Sequence, residues 1–129
     1  MLRNLLRLNL AASLLTAVAL IVFTRPSLAL YAVSGEAPLI FVSRIYGGAH
    51  LVFALLLWQA LRPGAQALQH ALALALCVGD SLATALTFLA QRDGLMNDLG
   101  WANLALQAFF ALGYTYASVR LFVSPDADE

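Results

Sequence analysis

Four long runs of apolar residues are the feature that most constrains how this chain can fold. They cover residues 8–24, 39–61, 67–90 and 99–123. A helix needs about 20 mostly apolar residues to cross the hydrocarbon core of a bilayer, and each run approaches or exceeds that length. Leu and Ala dominate the runs, which favours helices over strands. We therefore predict an all-α protein in which residues 1–129 form one domain, an integral membrane four-helix bundle.

Composition excludes most other classes of protein. Of the 129 residues, 62% are hydrophobic and 11% are charged, whereas a soluble domain has roughly half apolar and a quarter charged residues. A water-soluble fold of this length has too much surface to hide such an excess. Seven basic residues, all Arg, balance seven acids, and no basic run could follow a phosphate backbone. We expect the lipid bilayer as a partner and no nucleic acid.

The arginines between the runs predict the orientation, because cytoplasmic loops carry an excess of basic residues. Four arginines share one side of the predicted bundle and two lie on the other. They are Arg3, Arg7, Arg62 and Arg120 on the first side, and Arg25 and Arg92 on the second. This distribution places both termini in the cytoplasm. The Arg-only, Ala- and Leu-rich composition suggests a bacterial source, so we expect a multi-pass protein of the bacterial inner (cytoplasmic) membrane.

The first apolar run also has features of a signal peptide. Arg3 and Arg7 precede it, and the Ser-Leu-Ala sequence at 27–29 resembles a cleavage site. We expect this run to remain as an uncleaved helix.

The connections between the runs differ in length. Residues 62–66 predict a tight turn and therefore an antiparallel hairpin of the second and third helices. The connection at residues 92–98 is also short, and Asn97 or Asp98 can cap the fourth helix. Residues 25–38 form the longest predicted loop.

Three ionisable residues, Arg44, His50 and Asp80, fall inside the predicted spans. Such residues are costly in a bilayer unless paired, so they usually face the interior of a bundle. At about 1.5 Å per residue, His50 and Asp80 lie roughly 16 Å and 15 Å from the same outer surface. Arg44 lies higher, at roughly 8 Å, with a side chain long enough to reach down.

Helical periodicity places polar residues along one face of each run. We predict that these faces point inward and form a buried network in which Arg44 pairs with Asp80. The other predicted members are His50, Thr84, Asn103, Gln107 and Tyr114. On the first run, the aligned polar residues are Asn9, Ser13 and Thr16. Gly47 and Gly48 are predicted to allow close packing of another helix.

Two interpretations of this network stay open: it holds the bundle together, or it binds a ligand or a proton. We predict no cofactor, because His50 and His70 are separated by roughly 15 Å along the bundle, too far to hold one haem. We predict no metal, because one His and one Asp fall short of a usual zinc or iron ligand set. Ser81 points about 100° away from Asp80, which disfavours a hydrolytic triad, and we predict no catalytic residue.

The Arg44-x-x-Gly47 motif, Asp80 and the Gly113-Tyr114 pair resemble a known pattern. The sequence is similar to small four-helix bacterial membrane proteins of unknown function. That resemblance implies a four-helix membrane bundle with an intramembrane Arg–Asp pair, and it implies no activity.

Three hypotheses about the function follow. The first is a non-enzymatic membrane protein that binds a lipidic, amphipathic or quinone-like ligand, or serves as an accessory subunit of a larger membrane complex. The alternative is a transporter or proton pathway that uses Asp80 and His50, built from a homo-oligomer because four helices leave little room for a pore. A membrane enzyme with Asp80 or His50 as a base is a third hypothesis, which the lack of a catalytic motif disfavours.

Overall fold

The computed structural model describes residues 1–123, and over that range the protein is all-helical. The five helices of the described range are α1 (Leu2–Ile21), α2 (Thr24–Leu30), α3 (Ala37–Ala60), α4 (Gln66–Arg92) and α5 (Leu99–Val123). Three of them, α1, α3 and α4, are long and apolar enough to cross a membrane. The all-helical prediction is confirmed, and three candidate membrane spans are present.

α5 is as long as the other spans, with 25 residues. Polar residues interrupt its apolar sequence, among them Asn103, Gln107 and Arg120, and it is not one of the three candidate spans of the described range. Its crossing of a membrane stays a prediction.

The first helix differs from its predicted bounds. α1 begins at Leu2 rather than near residue 8, because Leu5 and Leu6 continue the helix and are buried. It ends at Ile21, and a separate short helix, α2, follows where we predicted only a loop. Pro26 stands in the first turn of α2, where the absence of an N–H group costs nothing. Pro26, which follows the predicted end of the first apolar run at residue 24, therefore lies inside a helix that the sequence did not predict.

The four long helices form two closely packed antiparallel pairs, α1 with α3 and α4 with α5. α3 and α4 are joined by the tight turn that the sequence predicted, but they make few contacts with each other. α1 and α4 begin at one end of the molecule, which we call the N-terminal end. The opposite end, which carries α2 and residues 93–98, we call the α2 end.

Gly47 brings α1 and α3 together. A Cβ added there would lie 2.9 Å from Cγ1 of Ile21, 3.0 Å from Cβ of Leu20 and 3.3 Å from the backbone oxygen of Ala17. Only a glycine fits at that distance, as in other membrane helix pairs that approach through small residues. Gly48 is different, because a Cβ there would meet no atom within 4 Å.

One buried apolar cluster joins the two pairs in the N-terminal half of the molecule. Its members from α1 and α3 are Leu5, Leu6, Leu57 and Ala60, and those from α4 and α5 are Leu72, Ala73, Leu76, Phe110 and Tyr114. Outside this cluster the helices expose large apolar side chains, such as Leu15 (73%) and Leu112 (72%). A surface of this kind suits lipid, because soluble monomers rarely expose contiguous apolar patches of such extent.

At the α2 end, Asn97 connects the two pairs. Its side-chain Nδ2 donates to the backbone oxygen of Leu30 at 2.7 Å, and its backbone N–H donates to that of Tyr31 at 3.3 Å. Its Oδ1 accepts from the backbone N–H of Leu99 at 3.1 Å, so Asn97 caps α5, as the sequence predicted. The pairs are thus joined by an apolar cluster at one end and by hydrogen bonds at the other.

Two valine substitutions separate packing from helix propensity. We expect Gly47→Val to destabilise the protein by about 1–3 kcal/mol, because the added methyl groups force α1 and α3 apart. Gly48→Val makes the same change in helix propensity, but its added side chain points into open space, so its effect is expected to be smaller. Thermal unfolding of both variants in one detergent measures the difference. Equal losses of stability would contradict the close packing at Gly47.

Candidate polar centre and N-terminal cavity

Tyr114 is completely buried, and its hydroxyl is bound by a side chain from α1. Nδ2 of Asn9 donates to the Tyr114 hydroxyl oxygen at 3.2 Å, and the Ser13 hydroxyl donates to Oδ1 of Asn9 at 3.2 Å. Asn9 and Ser13 are four residues apart and therefore share one face of α1. This chain of hydrogen bonds ties α1 to α5 in the interior of the protein.

The backbone of α5 approaches α1 closely beside Tyr114. A Cβ added at Gly113 would lie 2.9 Å from Cδ2 of Leu5. The Tyr114 ring also stacks on that of Phe110, with centroids 6.2 Å apart and an angle of 19°. Packing from both sides leaves the hydroxyl of Tyr114 directed at Asn9.

α3 and α4 add three more polar side chains to the same region. Tyr46 and His50 lie one turn apart on α3, with their rings in an edge-to-face contact at 4.6 Å. The Asp80 carboxylate on α4 interacts electrostatically with the hydroxyls of Tyr46 and Tyr114. We call this group the polar centre. It consists of Asn9, Tyr46, His50, Asp80 and Tyr114, and each of the four long helices contributes at least one member.

Several polar atoms in this region are buried without a hydrogen-bond partner. Within residues 1–123 they include Nδ1 of His50 and Oδ2 of Asp80 in the polar centre, and Oε1 of Gln107 two turns before Tyr114 on α5. A buried polar atom without a partner costs about 1–3 kcal/mol. Native proteins keep few such groups, and those they keep often serve binding or catalysis.

The predicted ion pair between Arg44 and Asp80 is not formed. Nε of Arg44 donates to the hydroxyl oxygen of Thr24 at 3.4 Å, and the Arg44 side chain is exposed. Within residues 1–123 the one ion pair joins Arg92 and Asp93, at 2.9 Å on the surface. Arg44 stands two residues before Tyr46, which turns it by about 200° away from the tyrosine that faces Asp80. Its long side chain extends toward the α2 end, where the charge meets the polar boundary of the protein.

The remaining predicted network residues line α4 and α5 without meeting one another. The Thr84 hydroxyl donates to the backbone oxygen of Asp80 at 2.6 Å, one turn back in the same helix. Asn103 and Gln107 are half-buried on α5, nearer the α2 end than Tyr114. The structure therefore places Asp80 within electrostatic range of Tyr46 and Tyr114, holds His50 against Tyr46, and leaves Arg44 outside this group.

Two members of the polar centre were absent from the predicted network. Asn9 belongs to the polar face recognised on the first run, but a face alone does not show which helix it meets. Tyr46 stands four residues before His50, a spacing that places both on one side of a helix. That spacing is the sequence feature that could have identified it.

A second polar region lies at the N-terminal end, where a cavity of about 860 Å³ opens between the ends of α1, α4 and α5. We call it the N-terminal cavity. Its polar lining consists of Arg3, Gln66, Gln69, His70, Tyr116 and Arg120. The guanidinium of Arg3 donates to the backbone oxygen of Leu61 at 3.0 Å, which closes the cavity toward α3. Sequence reasoning treated these arginines only as markers of orientation.

Neither region gathers a group of metal ligands. Within residues 1–123, no three side chains of His, Cys, Asp or Glu come together in a way that could hold a metal ion. No family model, curated protein or solved structure matches this chain. The resemblance to small bacterial membrane proteins therefore stays a prediction.

The hydrogen bond between Asn9 and Tyr114 can be tested by removing one hydroxyl. We expect Tyr114→Phe to lower the stability by about 1–3 kcal/mol, because the buried amide of Asn9 loses its acceptor. Tyr116→Phe is the matched control, since Tyr116 is 48% exposed, and surface changes of this kind usually stay within about 0.5 kcal/mol. Thermal unfolding in detergent compares the two. A loss as large for Tyr116→Phe as for Tyr114→Phe would contradict the role of the buried bond.

Proposed function

We propose that this chain is a non-enzymatic, integral four-helix protein of the bacterial inner membrane that binds an amphipathic small molecule at the polar centre. The observation that carries this proposal is the set of buried, unpartnered polar atoms on His50, Asp80 and Gln107. A ligand that donates hydrogen bonds to them would relieve the cost of their burial.

The two helix pairs supply a route for such a ligand. In the N-terminal half, the apolar cluster joins the pairs through fully buried side chains, such as Leu6 and Leu57. Toward the α2 end, buried residues lie within each pair instead, as with Ala17 against Gly47 and Gln91 against Gly100. Beyond the polar centre the apolar cluster no longer joins the two pairs, and we propose that an apolar molecule enters between them there from the lipid.

The unpartnered atoms also specify the chemistry of the ligand. Oδ2 of Asp80 and Oε1 of Gln107 are acceptors, so a matching ligand offers hydroxyl or N–H donors. Exposed apolar residues surround the site on the outer faces of the helices, which suits a long apolar body. A lipid that carries hydroxyl groups, or the hydroquinone form of a quinone-like lipid, meets both requirements.

The alternative function, a transport or proton pathway through an oligomer, has less support within one chain. The polar centre is separated from the N-terminal end by the apolar cluster, in which Leu6, Leu57 and Ala60 are fully buried. A pathway needs polar groups or space on both sides of the centre. The arrangement therefore favours a binding site that is reached from one side.

Two adjacent leucine substitutions on α4 test the binding site. Asp80→Leu removes an unpartnered acid, so we expect it to raise the stability of the ligand-free protein and to abolish ligand binding. Ser81→Leu is the matched control, because Ser81 is exposed and its hydroxyl bonds only the Cys77 backbone oxygen of its own helix. Both proteins are purified from membranes in mild detergent, and bound compounds are extracted and quantified by mass spectrometry.

The outcomes of this comparison are distinct. A compound that accompanies wild type and Ser81→Leu in near-stoichiometric amounts, and is lost from Asp80→Leu, supports the proposal. Equal retention by all three proteins contradicts a site at Asp80. Proton flux across liposomes that requires Asp80 would overturn the proposal in favour of the transport alternative.

The proposed topology, with both termini in the cytoplasm, is tested by single cysteines in a protein that carries Cys77→Ala. Ser34→Cys lies before α3 at the α2 end, and Pro63→Cys lies in the turn between α3 and α4. In intact bacteria we expect a membrane-impermeant maleimide to label position 34, and to label position 63 only after the inner membrane is permeabilised. The reverse pattern would show the opposite orientation, and labelling of both positions in intact cells would contradict insertion with this topology.

A further inference from the structure

Among residues 1–123, the N-terminal end concentrates arginines. Arg3, Arg7, Arg62 and Arg120 all lie there, together with His70. The acids of the described residues lie elsewhere, with Asp80 in the polar centre and Glu36, Asp93 and Asp98 at the α2 end. Within residues 1–123, therefore, no carboxylate neutralises the arginines that line the N-terminal cavity.

The cavity continues into an apolar groove between α4 and α5. This groove has a volume of about 300 Å³ and shares His70 and Leu121 with the N-terminal cavity. Its other lining residues are Ala71, Leu74 and Ser118. A charged cavity and an apolar groove thus meet at His70.

Ser118 stands inside this groove as a buried and unpartnered polar group. The residue is only 6% exposed, and its hydroxyl oxygen has no hydrogen-bond partner. A serine on a helix usually satisfies its hydroxyl with the carbonyl one turn back, as Ser81 does. The free hydroxyl of Ser118 is thus an independent indication of a ligand with an oxygen at this depth.

We propose that the N-terminal cavity and the adjoining groove bind one anionic phospholipid of the cytoplasmic leaflet. The phosphate lies between Arg3 and Arg120, an acyl chain follows the groove along Ala71 and Leu74, and an ester oxygen near the glycerol accepts from Ser118. The proposal rests on the membrane insertion and orientation proposed above, and it is independent of the polar centre.

Arg3 and Arg120 both line the cavity. Arg3 donates to the Leu61 oxygen through Nη2, and a guanidinium carries five N–H donors, so four remain. The Arg120 guanidinium lies 5.3 Å from the centre of the Tyr116 ring, which holds it beside the cavity. Basic pockets between helices on the cytoplasmic side of a membrane are typical sites for anionic headgroups.

The start of α4 adds to this electrostatic field. α4 begins at Gln66 in the cavity lining, and no side chain caps its first turn. The free backbone N–H groups at the beginning of a helix attract anions. The helix is 27 residues long. Guanidinium groups and helix amides thus converge on one cavity.

The test uses full-length protein in detergent micelles that contain equal amounts of phosphatidylglycerol and phosphatidylcholine. Native mass spectrometry then counts the lipids of each kind that stay bound. We expect wild type to retain one phosphatidylglycerol in strong preference to phosphatidylcholine. In Arg3→Gln/Arg120→Gln that preference should fall about tenfold or more, since each basic residue near an anionic headgroup contributes roughly a fivefold factor.

A charge-matched variant distinguishes the cavity from general attraction. Arg7→Gln/Arg62→Gln removes the same two charges from the same end but leaves the cavity lining intact. We expect it to keep the preference within about twofold of wild type. A loss as large as that of Arg3→Gln/Arg120→Gln would overturn the proposal, and so would equal retention of the two lipids by wild type. Unchanged thermal unfolding of the variants confirms that they are folded.

Filling the groove tests the acyl chain separately from the phosphate. Ala71→Trp obstructs the groove without a change of charge, and we expect it to abolish retention of phosphatidylglycerol. Ala102→Trp, on the exposed surface of α5 near the α2 end, is the control and should have no effect. If soluble glycerol 3-phosphate bound as tightly as phosphatidylglycerol, the cavity would be a site for a free phosphate compound and the lipid proposal would be overturned.

The variants distinguish loss of the phospholipid site from loss of the ligand site at the polar centre. Asp80→Leu should lose the ligand of the polar centre and keep its phosphatidylglycerol, whereas Arg3→Gln/Arg120→Gln should do the opposite. Loss of both ligands in either variant would overturn the independence of the two sites. Failure of insertion would appear in the labelling of positions 34 and 63.

Discussion

A polar group removed from water has to find a partner inside the protein, and this constraint shapes the whole structure. Helices satisfy it for the backbone, which is why the apolar runs fold into helices joined by short connections over residues 1–123. Asn9, Ser13 and Tyr114 satisfy it for side chains by bonding one another between α1 and α5. His50 and Asp80 each keep an unpartnered atom, so the same constraint that explains the fold also carries the proposal of a ligand site there.

The two proposed sites differ in the force that would fill them. At the polar centre, few charges are present and the gain comes from completing hydrogen bonds in an apolar setting, where such bonds are strong. At the N-terminal cavity, the gain comes from the attraction between arginines and an anionic headgroup, which salt weakens. A protein with both would hold one molecule from the membrane interior and another from its surface.

Much of the fold was predictable, because long apolar runs predict helices directly. Three of the four predicted helices match α3, α4 and α5 within two residues at each end. The partners of the helices were not predictable, since periodicity shows the face of each helix but not which neighbour that face meets. Arg44 and Asp80 illustrate this limit: both lie at suitable depths, but Arg44 turns toward Thr24 on a different side of α3. The sequence did not predict α2, because a proline such as Pro26 is found both after the end of one helix and in the first turn of the next.

The pairing of the helices also bears on how the protein is made. Each close pair is contiguous in the chain, since α1 and α3 lie before the turn at residues 62–65 and α4 and α5 lie after it. The contact through Gly47 can therefore form while α4 is still being synthesised, and the second pair can form without help from the first. We then expect the two helix pairs to dock against each other as formed units. The hydrogen bond between Asn9 and Tyr114 joins the two pairs, so it forms at that late step.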